Sequence, residues 1–373
     1  MPISLTIKPI EGAKPGRVYY PLQINTTPTI PTPGAGEVLI KLSACALNHR
    51  DLFIRQHLYP GISFSSPLLS DGYGTVISLG PSPSPYAQSL LNKSVLLTPS
   101  RGWESDPLGP ENGGKEWAVI GGAERYDYGM ASSHLVLPEG EVFLAPAHLS
   151  PEEGAALPLV GLTGWRALKT KAGAEAGQNI LITGIGGGVA LQVLQFAVAM
   201  GCHVYVTSGD QGKIEKAKQM GARGGVIYKD KDWEKQLLEL LPKERGYIDA
   251  VIDGAGGEVV GKTVKVLKQG GVIAVYGMTV GPKMEWNMQA VLKNVELKGT
   301  SMGSKEEFRE MLKFVADKKI KPVVSRVVRG LDNLEGVDGL FEDMKGGKQF
   351  GKLVILVDGE KGEGKEGGRS PKL

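Results

Sequence analysis

Cysteine is scarce: Cys45 and Cys202 are the only two in 373 residues, too few for a disulfide framework and in keeping with a reducing compartment. An excess of one charge is lacking too. Lys and Arg number 43 against 40 Asp and Glu, leaving a formal net charge of +3, which offers no electrostatic footprint for nucleic acid or an anionic membrane. No window approaches the roughly 18 apolar residues of a membrane span. The opening MPISLTIKPIEGAKPG also lacks the basic flank and apolar run of a secretory signal. A soluble, cytoplasmic protein is therefore expected, with a small-molecule partner and neither nucleic acid nor membrane.

The length allows two ordinary domains. From about Ser150 to Gly303 the runs NILIT, HVYVT, GVIY, IDAVID, GVIAVY and VELKG alternate with amphipathic stretches such as QVLQFAVAM and KIEKAKQMG. That alternation predicts repeated βα units in a doubly wound parallel sheet, an α/β Rossmann-type fold. The Pro- and Gly-rich segment before it has short strand-like runs and no long helical period, which predicts a mainly β domain. Ser150-Pro151-Glu152-Glu153 reads as a capped helix start and marks the border. After Gly303, Phe308, Met311, Leu312 and Val315 keep a helical period, and KLVILV reads as a buried strand. The expected division is 1–149 with 304–358 as one discontinuous domain and 150–303 as the other. The Gly/Lys/Glu-rich tail over 359–373 is expected to be disordered.

The strand NILIT runs through GIGGGVA into a helix, and this strand-turn-helix context points to a dinucleotide site. Glycines let the backbone approach a pyrophosphate, and the helix N-terminus presents free N–H groups to it. A plain Gly-rich loop closing a βα unit is the other reading. NAD enzymes of this architecture carry an acidic residue after the second strand, on the ribose 2′-hydroxyl. Here Ser208 and Gly209 follow HVYVT, with Asp210 further on and Lys213 a turn later. A hydroxyl and a lysine suit a 2′-phosphate, so NADPH is the expected cofactor, unless Lys213 is only a solvated helix lysine.

The chain as far as Val357 resembles the medium-chain dehydrogenase/reductase superfamily, on its quinone oxidoreductase and enoyl reductase side. The resemblance is carried by ALNHRDLFIRQHLYP, the 72–80 run GYGTVISLG, EEGAALPLVGLTGWRAL, ITGIGGGVA and GKLVILV. It implies a GroES-like N-terminal domain, a Rossmann domain, a cleft between them, and a homodimer as the common state. It implies that Tyr228 joins Ser208 and Lys213 at the 2′-phosphate. Thr163, Gly254, Gly277 and the 299–303 run would line the nicotinamide side. Gly184, Gly187 and Ala190, three residues apart, match the longer quinone-reductase turn; Gly188 and Val189 complete the stretch, and Val189 stands where the alcohol dehydrogenase pattern ends in glycine.

Zinc-dependent members of the superfamily use cysteine, histidine and acidic ligands. Here Asn48 stands where the first catalytic cysteine would fall and Ser70 where a histidine would fall, and the lobe SRGWESDPLGPENGG has no cysteine. Two cysteines cannot build a four-ligand structural site, Cys45 reads as a packed apolar residue, and the five histidines show no ligand spacing. No metal is expected. Without that Lewis acid an ordinary ketone is a poor hydride acceptor, whereas a quinone or an α,β-unsaturated carbonyl spreads the incoming charge onto oxygen. In the resemblance Tyr59, eleven residues after Asn48, is the candidate proton donor or oxygen-stabilising group; the bland reading is a tyrosine that only lines the cleft. Asn48 would place the nicotinamide ribose or substrate, and Asp51 would organise hydrogen bonds. The function expected is NADPH-dependent reduction of a quinone or enone. A zinc-type alcohol dehydrogenase, an enoyl reductase on a carrier-bound substrate and a non-catalytic NADPH-binding protein are the alternatives.

Overall fold

The computed structural model describes residues 1–359; from residue 360 onward, the tail expected to be disordered lies outside the described residues. All six runs named above form strands: Asn179–Ile182, His203–Ser208, Gly224–Ile227, Ile248–Asp253, Leu267–Val275 and Glu296–Gly299. They make one parallel sheet in which the third, second, first, fourth, fifth and sixth lie side by side. The first and fourth are buried along their whole length, as central strands covered on both faces must be. Strand order reverses between those two, and ligands of such sheets bind in the crevice beyond the carboxyl ends at that reversal. The glycine turn leaves the first strand at this place.

The mainly β part is a second, seven-stranded sheet. Its centre is the strand Glu37–Ala46, antiparallel to Asp71–Leu79, to His134–Pro138 and to Lys352–Leu356. The last of these lies parallel to Val324–Arg329, so the end of the chain returns to the first domain. Its Leu353, Ile355 and Val357 are buried with Leu5, Ile40 and Leu42 in one core, while Val354 and Leu356 join the core on the other face.

Helices join the two sheets. Pro151–Ala155 begins with the expected reciprocal cap between Ser150 and Glu153, and it packs on the strands Glu37–Ala46 and Asp71–Leu79. The helix Lys305–Lys318 opens on a second such box, Ser304 with Glu307. It packs on the helix Pro158–Trp165. Its buried stripe is Phe308, Met311, Leu312 and Val315, the residues whose period marked the helix in the sequence. Both helices therefore pack at the joint between the two sheets. No helix among the described residues is long and apolar enough to cross a membrane.

A candidate active-site cleft

A cleft of about 440 Å³ lies between the sheets, and Asn48, Tyr59, Thr163, Gly184, Gly187, Gly188, Val189, Gly254 and Gly277 all line it. Two of these glycines leave the space a ligand needs. A Cβ on Gly184 or Gly187 would meet nothing within 4 Å, and Gly184 has φ +62°, a left-handed backbone that favours glycine. The helix that follows, Gly188–Ala199, has Gly187 as its N-cap and no side chain capping it. Its neighbours Gln211–Gln219 and Lys305–Lys318 are capped by Asp210 and Ser304. An uncapped twelve-residue helix opening onto an empty cradle fits a pyrophosphate, because its first N–H groups lack acceptors and carry the positive end of the helix dipole.

Opposite lies the turn after the fourth strand. The Asp253 carboxylate accepts from the Thr183 hydroxyl and from the backbone N–H groups of Ala255 and Gly256, and burial raises its pKa. Gly254 is required here: a Cβ would lie 2.5 Å from the Tyr276 ring. Thr163 donates to the Met302 sulfur at 3.6 Å, which ties the predicted nicotinamide wall to the 299–303 run.

The remaining predicted residues sit elsewhere. Ala190 is buried inside its helix. Ser208 is buried and its hydroxyl accepts from the Asp210 N–H at 3.1 Å. The Tyr228 hydroxyl and the Lys229 side chain come close to Gly209. Lys213, however, donates to the carbonyls of Gly347 and Gln349, at 2.8 and 3.0 Å, so its ammonium clasps a loop of the other domain. Partial burial lowers its pKa. One oxygen of the Asp210 carboxylate accepts from the Lys213 N–H at 2.9 Å as a helix cap.

Asp51 does not face the cleft. It lies in the first turn of the helix His49–Arg55, accepting from the Asn48 N–H at 2.7 Å and pairing with Arg50 at 3.2 Å. Burial pushes its carboxyl up to about 6 against the pull of Arg50 and the Asn48 N–H. Because the folded pKa is raised, protonation between about pH 6 and pH 4 favours the folded state, and that contribution is lost as pH rises through 6. Protonation also removes the anion that anchors Arg50, which lines the cleft, so kcat/KM should fall as pH drops below about 6. A pH–rate profile checks this, and Asp51→Asn should flatten that acid limb at a lower plateau.

Sequence reasoning missed Asp71 and Lys352. The Lys352 ammonium, 4% exposed, donates to Asp71 at 2.7 Å, to the Asn48 side-chain oxygen at 2.6 Å and to the Leu47 carbonyl at 2.7 Å. The Asn48 amide donates to Asp71 at 2.9 Å, and the other Asp71 oxygen accepts from the Leu159 N–H, in the first turn of the helix Pro158–Trp165, at 2.7 Å. The GKLVILV run marked the strand, but no local signal tied its lysine to a carboxylate 281 positions away.

A doubly wound sheet set against a GroES-like β domain across a cleft is the architecture of medium-chain dehydrogenases and reductases. Residues 34–147 match the family model of the alcohol dehydrogenase GroES-like domain, and residues 188–317 match that of the zinc-binding dehydrogenases. The zinc-type alcohol dehydrogenase-like protein YogA of Leptosphaeria maculans is 60% identical over 361 residues, covering 96% of this chain and 100% of its own. An acryloyl-coenzyme A reductase of Sulfurisphaera tokodaii is 27% identical over 87% of this chain and 93% of its own. The crystal structure of an NAD-dependent alcohol dehydrogenase superposes with a TM-score of 0.82 at 28% identity, covering 96% of this chain and 100% of that one. The chain belongs to the medium-chain dehydrogenase/reductase superfamily of oxidoreductases, with zinc-type alcohol dehydrogenase-like proteins as relatives.

The residues present do not fit the zinc that this family name implies. Among the described residues no group of three or more His, Cys, Asp or Glu could hold a metal ion. Asn48 and Ser70, at the two expected ligand positions, are joined by a 3.5 Å hydrogen bond. The Lys352 ammonium already rests on the Asn48 oxygen, and a second cation beside it would be repelled. Cys45 is fully buried, packed with Ile40, Leu42 and Leu47 in the sheet core. The cysteine-free lobe is held by other means. Glu111 accepts from the N–H groups of Glu104, Ser105 and Asp106; burial alone would raise its carboxyl, but these donors outweigh it and hold it at about 2. Arg166 lies 4.4 Å over the Trp103 ring and donates to the Pro107 carbonyl, which fastens the lobe to the second domain.

Proposed function

We propose that the protein is a zinc-independent, NADPH-dependent reductase of α,β-unsaturated carbonyls or quinones. One observation carries this reading: of the two positions that would hold zinc, Asn48 is tied into a network with Asp71 and Lys352 and Ser70 bonds to Asn48, at the wall of a cleft whose other side is an uncapped helix N-terminus. The cofactor, when bound, supplies a hydride from its nicotinamide. The glycine turn at 184–188 holds its pyrophosphate, and Thr163, Gly254 and Gly277 shape the space for the ring. Asn48 is fixed by Lys352 and Asp71, so its side chain can orient ribose or substrate without rearranging. Tyr59 lines the same cleft, where its hydroxyl can protonate the reduced acceptor.

The preference for a 2′-phosphate rests on Ser208, Lys213, Tyr228 and Lys229 gathering near the end of the second strand, where a hydroxyl and two lysines suit an anion. On this reading the Lys213 ammonium leaves the 347–349 carbonyls for the phosphate. Lys213→Ala should raise KM for NADPH by up to about fivefold, the worth of one partly exposed ion pair, and leave KM for NADH unchanged. Equal shifts for both cofactors would make Lys213 an interdomain clasp only.

The test of the whole reading is turnover of a panel of enals, enones and quinones with NADPH and with NADH. NADPH oxidation coupled to conjugated acceptors and little activity on saturated ketones is expected. Tight NADPH binding without turnover on any acceptor would favour a non-catalytic role. A carrier-linked enoyl thioester has the same conjugated chemistry, and the similarity to an acryloyl-coenzyme A reductase supports including one in the panel.

A further inference from the structure

The cleft contains a buried cation with unused donors. Arg50, 8% exposed, is the second residue of the helix His49–Arg55 and lines the cleft beside Asn48, His49 and Tyr59. Only one of its nitrogens is engaged: Nη1 donates to Asp51 at 3.2 Å and to the Ile120 carbonyl at 3.0 Å. Nε and Nη2 are buried and have no partner, which leaves three of the five guanidinium N–H groups without an acceptor. Such groups are costly to bury unless something arrives to accept from them. Tyr59 stacks on the same guanidinium, its ring centre 4.7 Å from Cζ.

We infer that Arg50 receives the oxygen of the acceptor, so that the substrate is one whose carbonyl or quinone oxygen becomes anionic on reduction. The inference rests on the reductase reading above. Hydride adds to the β-carbon, the alkene pair moves to the α-carbon–carbonyl bond, and the carbonyl π pair passes to oxygen; the free N–H groups of Arg50, covered by the Tyr59 ring, donate to that oxygen once the ring swings aside. The Tyr59 hydroxyl then gives its proton to the α-carbon, or to the oxygen of a reduced quinone, and regains one from solvent. Asp51 holds Nη1 and so fixes the plane of the fork. In this arrangement a guanidinium performs the charge stabilisation for which other enzymes use a metal ion. A lysine would keep the charge but not the fork.

The test uses the full chain with trans-2-hexenal and NADPH. Arg50→Met should lower kcat/KM by about 100-fold, the cost of losing an oxyanion donor, with NADPH affinity unchanged; the melting temperature should fall, because Asp51 and the Ile120 carbonyl lose their donor. Arg50→Lys should recover about tenfold of that loss, and added guanidinium ion should partly restore Arg50→Ala. A second readout is independent of turnover. Trans-cinnamate, whose carboxylate imitates the anionic oxygen, should bind the NADPH complex of the unaltered protein and bind Arg50→Met about 30-fold more weakly.

Arg50→Met with kcat/KM and cinnamate affinity within about threefold of the unaltered protein would overturn the inference. So would a parallel loss of NADPH affinity in Arg50→Lys, which would make Arg50 part of the scaffold. If the unaltered protein reduces no enone or quinone while cinnamate binding still depends on Arg50, the reductase reading fails and the oxyanion site stands. Should Arg50→Met not fold, rate loss with intact NADPH binding in Arg50→Lys supports the inference, and an unaltered rate overturns it.

Discussion

Gly187→Asp should give a protein that folds at least as well as the original and no longer binds its cofactor. Gly187 has the extended backbone of an N-cap, φ −73° and ψ 152°, and a Cβ there meets nothing within 4 Å. An aspartate at this position can accept from the first free N–H groups of the helix, and relative to glycine such a cap is worth a few tenths of a kcal/mol. Those are the groups that a pyrophosphate would use. A carboxylate held about 4 Å from a phosphate costs roughly 4 kcal/mol at an effective dielectric of 20, close to a thousandfold in affinity. Urea unfolding and NADPH fluorescence titration read the two effects separately. Gly187→Ala should fold normally and bind more weakly by a much smaller factor, since it adds bulk without charge.

Lys352→Met should cost about 3–5 kcal/mol of stability, the usual result of breaking a buried pair by removing one partner. The lysine side chain is 4% exposed and Asp71 0%, so the abandoned carboxylate has no route to water. It would retain the Asn48 amide and the Leu159 N–H as donors, which limits the loss but does not replace a charge. Because Asp71 also holds the start of the helix Pro158–Trp165, the damage should spread across the domain joint. Asp71→Asn in the same chain should recover part of the loss, since it removes the unpaired anion. Denaturant unfolding of the two single variants and the double variant measures this, and equal, additive losses would mean that the pair does not act as a unit.

The two predictions mark what the sequence made legible. The cradle at Gly184–Gly188 could be read because strand, turn and helix are contiguous, and the period of each is local. The caps at Ser150 and Ser304 and the buried stripe of Lys305–Lys318 were readable or findable for the same reason. The network around Lys352 was not, because its partners come from three distant strands and helices and no spacing rule links them. Lys213 shows the same limit: its position near the second strand suggested a phosphate ligand, whereas its partners at Gly347 and Gln349 lie 134 and 136 residues away. Asp51, expected to organise the cleft's hydrogen bonds, caps the helix that carries Arg50 and also pairs with that arginine, a link no spacing in the sequence marked. The missing ligands at Asn48 and Ser70 were visible as substitutions, but what fills the space came only from the fold.

The most direct measurement is the metal content of the enzyme while it works. Protein dialysed against a strong zinc chelator should contain far less than one zinc per chain and oxidise NADPH with trans-2-hexenal at the same rate as undialysed protein. One firmly held zinc per chain, with activity that falls on its removal and returns on its addition, would contradict zinc-independent reduction.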